Sequence, residues 1–171
     1  MSNAVSAWLS AEEPGVPPGK PQYSSRTDES GNRRKRVALL IEDNPADVLL
    51  VREAIDFYAL PVDLHVMEDG QKGLDFIRRT EDDPRAPCPE IILLDLNLPG
   101  RSGKEVLEHV RRSGTCKDIP VLIISSSDVV RERDELARLG ATRYFRKPSS
   151  YDAFLQVGRI LKELLEEETI N

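Results

Sequence analysis

Val37-Ala38-Leu39-Leu40-Ile41-Glu42-Asp43-Asn44-Pro45 runs from a continuous aliphatic stretch straight into two carboxylates, an asparagine and a proline. Aliphatic residues in unbroken succession, without polar alternation, are the pattern of a strand covered on both faces. Asn44 is suited to cap a helix, and Pro45 to fill its first turn, where no backbone N–H partner is needed. This stretch therefore predicts a buried parallel strand, two acids at its carboxyl end, and a helix leaving that end.

The same alternation continues along the chain. Val62 to Met67, Ile91 to Leu94, Val121 to Ile124, and Tyr144 to Phe145 with their neighbours read as four more strands. Amphipathic stretches lie between them: Val48, Leu49, Val51 and Ile55 after Pro45; Leu74, Phe76 and Ile77 after Asp69 and Gly70; Val106, Leu107 and Val110 after Ser102 and Gly103. A fourth helix is expected from Asp128 through Leu136 and Leu139 to Gly140, a residue suited to a left-handed cap. A fifth runs from Tyr151 to about Glu167, with Phe154, Val157, Ile160, Leu161 and Leu164 as its inner stripe. Strict alternation with right-handed crossovers predicts an α/β, three-layer doubly wound domain of the flavodoxin-like kind: a five-stranded parallel sheet of order 2-1-3-4-5 with five helices. Ligands of such sheets bind outside the carboxyl strand ends, near the switch point between strands 1 and 3.

A chain of 171 residues with 39% hydrophobic content is long enough for one domain with a proper core and short for two. Residues 1–35, rich in Pro, Ser, Gly and charge, are expected to be a disordered leader, because they cannot bury enough apolar surface to offset ordering entropy. The folded domain is expected over 36–168, with 169–171 a short tail. The whole chain carries a net charge of −6, but residues beyond Arg36 hold 18 basic against 26 acidic side chains, a net −8. Such an acidic body argues against nonspecific nucleic-acid binding. Cys88 and Cys116 lie in different predicted loops without a paired motif, so neither a zinc site nor a disulfide framework is suggested. Nothing approaches the run of about 18 apolar residues that a membrane helix needs, and the N-terminus lacks the order of a signal peptide, so a cytoplasmic protein is expected.

Glu42 and Asp43 end strand 1, and Asp95 ends the neighbouring strand 3, so three carboxylates are expected to crowd together. Their repulsion calls for a hard divalent cation; Mg2+ suits a few carboxylates, a backbone carbonyl and waters, and Asn97 is placed to supply the carbonyl. Ser125 ends strand 4, and Lys147-Pro148 follows strand 5. An X-Pro bond at such a turn is a candidate cis peptide. His65 and His109, far apart in the predicted fold, suggest neither a phosphodonor nor a metal ligand, and no Gly-rich nucleotide loop is present.

In order and spacing, Glu42-Asp43, Asp95-Leu96-Asn97-Leu98-Pro99-Gly100-Arg101-Ser102-Gly103, Ser125 and Lys147-Pro148 resemble the receiver domain of two-component response regulators. More narrowly, Ile41-Glu42-Asp43-Asn44-Pro45-Ala46-Asp47 and Leu94 to Pro99 look like the single-domain regulators paired with bacterial phytochromes. The resemblance implies that Asp95 is the phosphoacceptor for a phosphohistidine on a sensor histidine kinase. Glu42, Asp43, Asp95 and the Asn97 carbonyl would hold Mg2+, and Lys147 and Ser125 would contact the phosphoryl group. Tyr144 matches the family's switch aromatic, while Asn97 and Ser127 would border the hydrolytic water and tune phosphate lifetime. It also implies output through binding, including a homodimer through helix 4, strand 5 and helix 5, because nothing follows helix 5 that could act as an output domain.

A competing reading is a haloacid-dehalogenase-like phosphohydrolase, which also uses a strand-end aspartate and Mg2+. That class puts its nucleophile on the first central strand with another acid two residues on, whereas Asp95 ends the third strand and is followed by Asn97. A pseudo-receiver adaptor that works without phosphorylation is the other alternative; the complete residue set disfavours it.

Overall fold

The computed structural model describes residues 34–127 and 130–167. The expected leader thus lies outside the described residues except for Arg34 and Lys35, as do Asp128 and Val129 at the expected start of the fourth helix. The elements alternate as β1 (Arg36–Ile41), α1 (Pro45–Phe57), β2 (Val62–Met67), α2 (Gly70–Asp82), β3 (Ile91–Asp95), α3 (Gly103–Arg112), β4 (Val121–Ser125), α4 (Val130–Arg138), β5 (Arg143–Arg146), α5 (Tyr151–Phe154) and α6 (Gln156–Glu167). The strands form one parallel sheet of order β2-β1-β3-β4-β5, as the alternation predicts.

Helix starts follow local chemistry. The Asn44 side chain accepts the Ala46 N–H ahead of Pro45, and Asp69 accepts the Lys72 N–H. Ser102 and Glu105 form a reciprocal capping box at α3, and Ser150 accepts the Ala153 N–H. Gly140 takes a left-handed φ of +96° just beyond α4. The expected fifth helix is interrupted at Leu155, which keeps right-handed angles (φ −58°, ψ −19°), so α5 and α6 follow one another in the fifth helical position.

Strand alternation divides the core into two layers. Ala38, Leu40, Ile91, Leu93, Leu122, Ile124 and Phe145 pack with Val51, Ala54, Phe154, Val157 and Leu161 from α1, α5 and α6. Leu39, Ile41, Ile92, Leu94, Val121 and Ile123 pack with Ile77, Leu107 and Leu136 from α2, α3 and α4. β3 and β4 are buried along their whole length, which accounts for their unbroken aliphatic composition. On the first face, α1 and α6 meet at Gly158, where an added Cβ would lie 2.6 Å from the Tyr58 ring and 2.7 Å from the Ala54 carbonyl oxygen.

Alternation and register together position the site. Ile41 pairs with Leu94, so Glu42 and Asp95 come next to each other at the carboxyl end. Asp95 pairs with Ile124, and Ser125 with Arg146, so Lys147 emerges one step beyond the sheet. Asp95 shares the parity of Ile91 and Leu93, and Lys147 that of Phe145, so both belong to the α1/α6 face. Ser125 shares the parity of Val121 and Ile123 and belongs to the opposite face.

Candidate phosphoryl and metal site

One carboxylate oxygen each from Glu42, Asp43 and Asp95 lies within 4.8 Å of the others. Glu42 and Asp95 are buried, and Asp43 is exposed at the mouth. All three donors are oxygens. Asp95 Oδ1 is buried and accepts no hydrogen bond, so it keeps a lone pair that a cation could take. The donor set therefore fits a hard divalent cation such as Mg2+ or Mn2+.

Lys147 reaches this trio from the β5–α5 loop. Its Nζ donates to Glu42 Oε2 at 2.8 Å and to Asp47 Oδ2 at 2.8 Å, and stands 3.3 Å from Asp95 Oδ1. The Lys147 side chain is 14% exposed. Burial works against its charge, but the hydrogen bonds it donates to Asp47 and Glu42 and the field of Asp95 outweigh it and hold Lys147 above the ordinary lysine range. Burial pushes Glu42 above the usual carboxylate range, opposed by hydrogen bonds from Lys147 and the Asn44 N–H. The Lys147–Pro148 bond is trans, correcting the cis expectation. The Lys147 N–H donates to the Ser125 carbonyl at 2.8 Å, so strand alternation alone already carries the side chain to the α1 face.

The β3–α3 loop carries Asn97, which lies exposed two residues beyond Asp95. Gly103 packs directly on the base of this loop: an added Cβ would sit 2.3 Å from the Asp95 carbonyl oxygen and 2.7 Å from Leu96 Cα. Its N–H donates to the Leu96 carbonyl at 3.1 Å.

On the opposite face, Ser125 is fully buried and its Oγ accepts the Ser127 N–H at 3.1 Å. Tyr144 donates its hydroxyl proton to the Ser127 carbonyl at 2.7 Å. The Arg133 guanidinium of α4 lies 4.8 Å from the Tyr144 ring centroid, a cation–π distance. Thus the structure brings Glu42, Asp43, Asp95 and Lys147 together, and joins Ser125, Ser127 and Tyr144 in a second group across the sheet. The sequence reading assigns no role to Arg133, and Asp47 enters it only as the last residue of the Ile41–Asp47 motif. The signal for Asp47 lay in its place in the first turn of the helix that covers the Lys147 face. His65, on the edge strand β2, lies 3.4 Å from Asp63 and packs at a tilt against the Phe76 ring, while His109 sits on α3.

Comparison with known proteins gives the same answer. The model of the response regulator receiver domain matches residues 38–159. Response regulator Rcp1 of Synechocystis sp. is 36% identical over 92 residues, covering 54% of this chain and 63% of that protein, so less than two thirds of its length is spanned. The probable methanogenesis regulatory protein FilR2 of Methanothrix harundinacea is 32% identical over 130 residues, 74% of this chain and 81% of that protein. Among solved structures, the phosphorylated cyanobacterial phytochrome response regulator RcpA superposes with a TM-score of 0.69 at 30% identity, covering 75% of this chain and 92% of that one. The Mn2+-bound form of Rcp1 gives 0.68 at 28% identity, with the same coverage.

The chain belongs to the response regulator receiver family. Membership in that family places it in two-component signalling, and the solved structures it resembles include a cyanobacterial phytochrome response regulator. Among the described residues no helix is long and apolar enough to cross a membrane.

Proposed function

We propose that this receiver works as a phosphoacceptor switch in which Asp95 takes a phosphoryl group from the phosphohistidine of a sensor histidine kinase, a bacterial phytochrome being the partner that the relatives suggest. The observation that supports this most is the meeting of Glu42, Asp43 and Asp95 within 4.8 Å, with the Lys147 ammonium 3.3 Å from Asp95 Oδ1.

In the transfer, a carboxylate oxygen of Asp95 forms the new O–P bond as the N–P bond of the phosphohistidine breaks and the imidazole leaves with the electron pair. A carboxylate is a weak nucleophile, so catalysis rests on positioning and on charge compensation for the phosphoryl oxygens. Glu42, Asp43, Asp95 and the Asn97 carbonyl would hold Mg2+, whose chemistry there is to neutralise charge on the transferring group. Lys147 supplies the fixed cation on the α1 side. Ser125, on the other side, gives up its contact with the Ser127 N–H to donate its hydroxyl to a phosphoryl oxygen. Ser127 is also the residue that Tyr144 holds, so movement of Ser125 is passed to α4, β5 and the fifth helix. That surface is the proposed output, for a downstream partner or a second copy of the chain. Asn97 and Ser127 flank the path of the water that ends the signal.

Incubation of the full chain with autophosphorylated histidine kinases of the same organism tests the proposal. Label should pass from one of them to this chain only with Mg2+ present. Retention of label on every kinase, together with failure of acetyl phosphate to modify the chain, would reject it.

A further inference from the structure

Lys147 does not give its closest contacts to Asp95. Its two hydrogen bonds go to Glu42 and Asp47, while Asp95 Oδ1, buried and 3.3 Å away, accepts none. Asp47 stands outside the trio whose oxygens could share a cation, so its visible partner is the ammonium. It is also held in place. Asn44 Nδ2 donates to Asp47 Oδ2 at 3.2 Å, and the Asn44 N–H donates to Glu42 Oε1 at 3.0 Å, so one residue ties together the two acids that grip Lys147. The β1–α1 loop is thus a cradle for the ammonium, fixed by the same asparagine that starts α1.

We propose that Asp47 is a positioning residue that holds the Lys147 ammonium on the α1 side of the site in the unmodified protein, leaving Asp95 free of a hydrogen bond and setting how readily Lys147 moves onto a phosphoryl group. The proposal rests on the reading of Asp95 as phosphoacceptor. A group on Asp95 must win Lys147 from Asp47, and each state's population follows from that competition. A charge-assisted contact is roughly twice as strong as a neutral one, so replacing the carboxylate by an amide shifts the competition without emptying the space.

The test is titration of the full-length protein with beryllofluoride, a phosphoryl mimic, in the presence of Mg2+, followed by 19F NMR. Asp47→Asn should bind the mimic about tenfold more tightly than wild type, the change expected from weakening one charged hydrogen bond. Asp47→Glu should stay near wild type, and in a Lys147→Met background Asp47→Asn should change nothing. Equal or weaker binding by Asp47→Asn, or an unchanged effect of Asp47→Asn without Lys147, would overturn the positioning role. Urea unfolding of the metal-free proteins closes the cycle independently of phosphoryl chemistry. Asp47→Asn and Lys147→Met should be coupled, and additive effects would also overturn it. Wild type that binds no mimic at all while showing that coupling would instead overturn the phosphoacceptor reading and, with it, the functional consequence assigned to Asp47.

Discussion

The Lys147 ammonium stands 3.3 Å from Asp95 Oδ1, although 52 positions of sequence separate the two residues and a whole strand lies between their own. Parallel register and alternation suffice to bring them together: Asp95 ends β3 and Lys147 directly follows β5, both on the α1/α6 face. Removing Lys147 leaves the buried Glu42 and the partly buried Asp47 without their cation. Lys147→Met should therefore destabilise the metal-free protein by about 3 kcal/mol, the lower range for breaking a buried ion pair, and Mg2+ should recover part of that loss. Urea unfolding with and without Mg2+ is the measurement, and a metal-free variant as stable as wild type would contradict the electrostatic account.

Glu42 predicts the pH dependence. Burial raises its carboxyl above the ordinary glutamate value of 4.5. A raised folded-state value means that the group favours the fold below pH 4.5 and that this contribution is lost as pH rises through the folded value. Above it, ionised Glu42 is a cost to the metal-free protein. Glu42→Gln should therefore raise the melting temperature at pH 8 in the presence of a chelator, with the gain fading as pH falls toward 4.5. A gain that grows on acidification would have the wrong sign.

Gly103 is a steric keystone for the β3–α3 loop. A methyl group there would lie 2.3 Å from the Asp95 carbonyl oxygen, whereas one at Gly114 would meet nothing within 4 Å. Gly103→Ala should cost about 2 kcal/mol, typical of forced overpacking, and weaken Mg2+ binding, because the loop bearing Asn97 must shift. Gly114→Ala is the control and should change Mg2+ affinity not at all. Calorimetric titration distinguishes the two; equal affinity for Gly103→Ala and wild type would separate the loop from the metal site.

Mg2+ itself should act as a stabilising ligand. At a concentration about a hundredfold above its dissociation constant, the linkage relation gives about 2.7 kcal/mol, or several degrees in melting temperature for a domain of this size. Asp43→Asn should abolish most of that shift while leaving the metal-free melting temperature within a degree or two, because Asp43 is exposed. Persistence of the full shift in Asp43→Asn would remove Asp43 from the ligand set.

The strand-end acids were legible in sequence because each is announced twice: Glu42 and Asp43 by the aliphatic run before them and the Asn44-Pro45 cap after, Asp95 by Ile91 to Leu94 and then the helix start at Ser102-Gly103. Caps and periodicity are local, and the sheet order follows from the alternation they define. Asp47 was hidden by the same logic. As the third residue of a helix it reads as an ordinary first-turn acid favoured by the helix dipole. Only the side of the sheet on which α1 packs, fixed by Val51 and Ala54 against Leu40 and Leu93, reveals its meeting with Lys147. The interruption at Leu155 was equally unreadable, since the aliphatic residues on both sides keep one helical stripe.

The most direct test of the account is intact-mass and peptide analysis after treatment with acetyl phosphate and Mg2+. The wild-type chain should gain a single phosphoryl group, mapped to Asp95, and Asp95→Asn should gain none. Modification of Asp95→Asn to the wild-type extent, or a phosphoryl group mapped to another residue in the wild type, would contradict it.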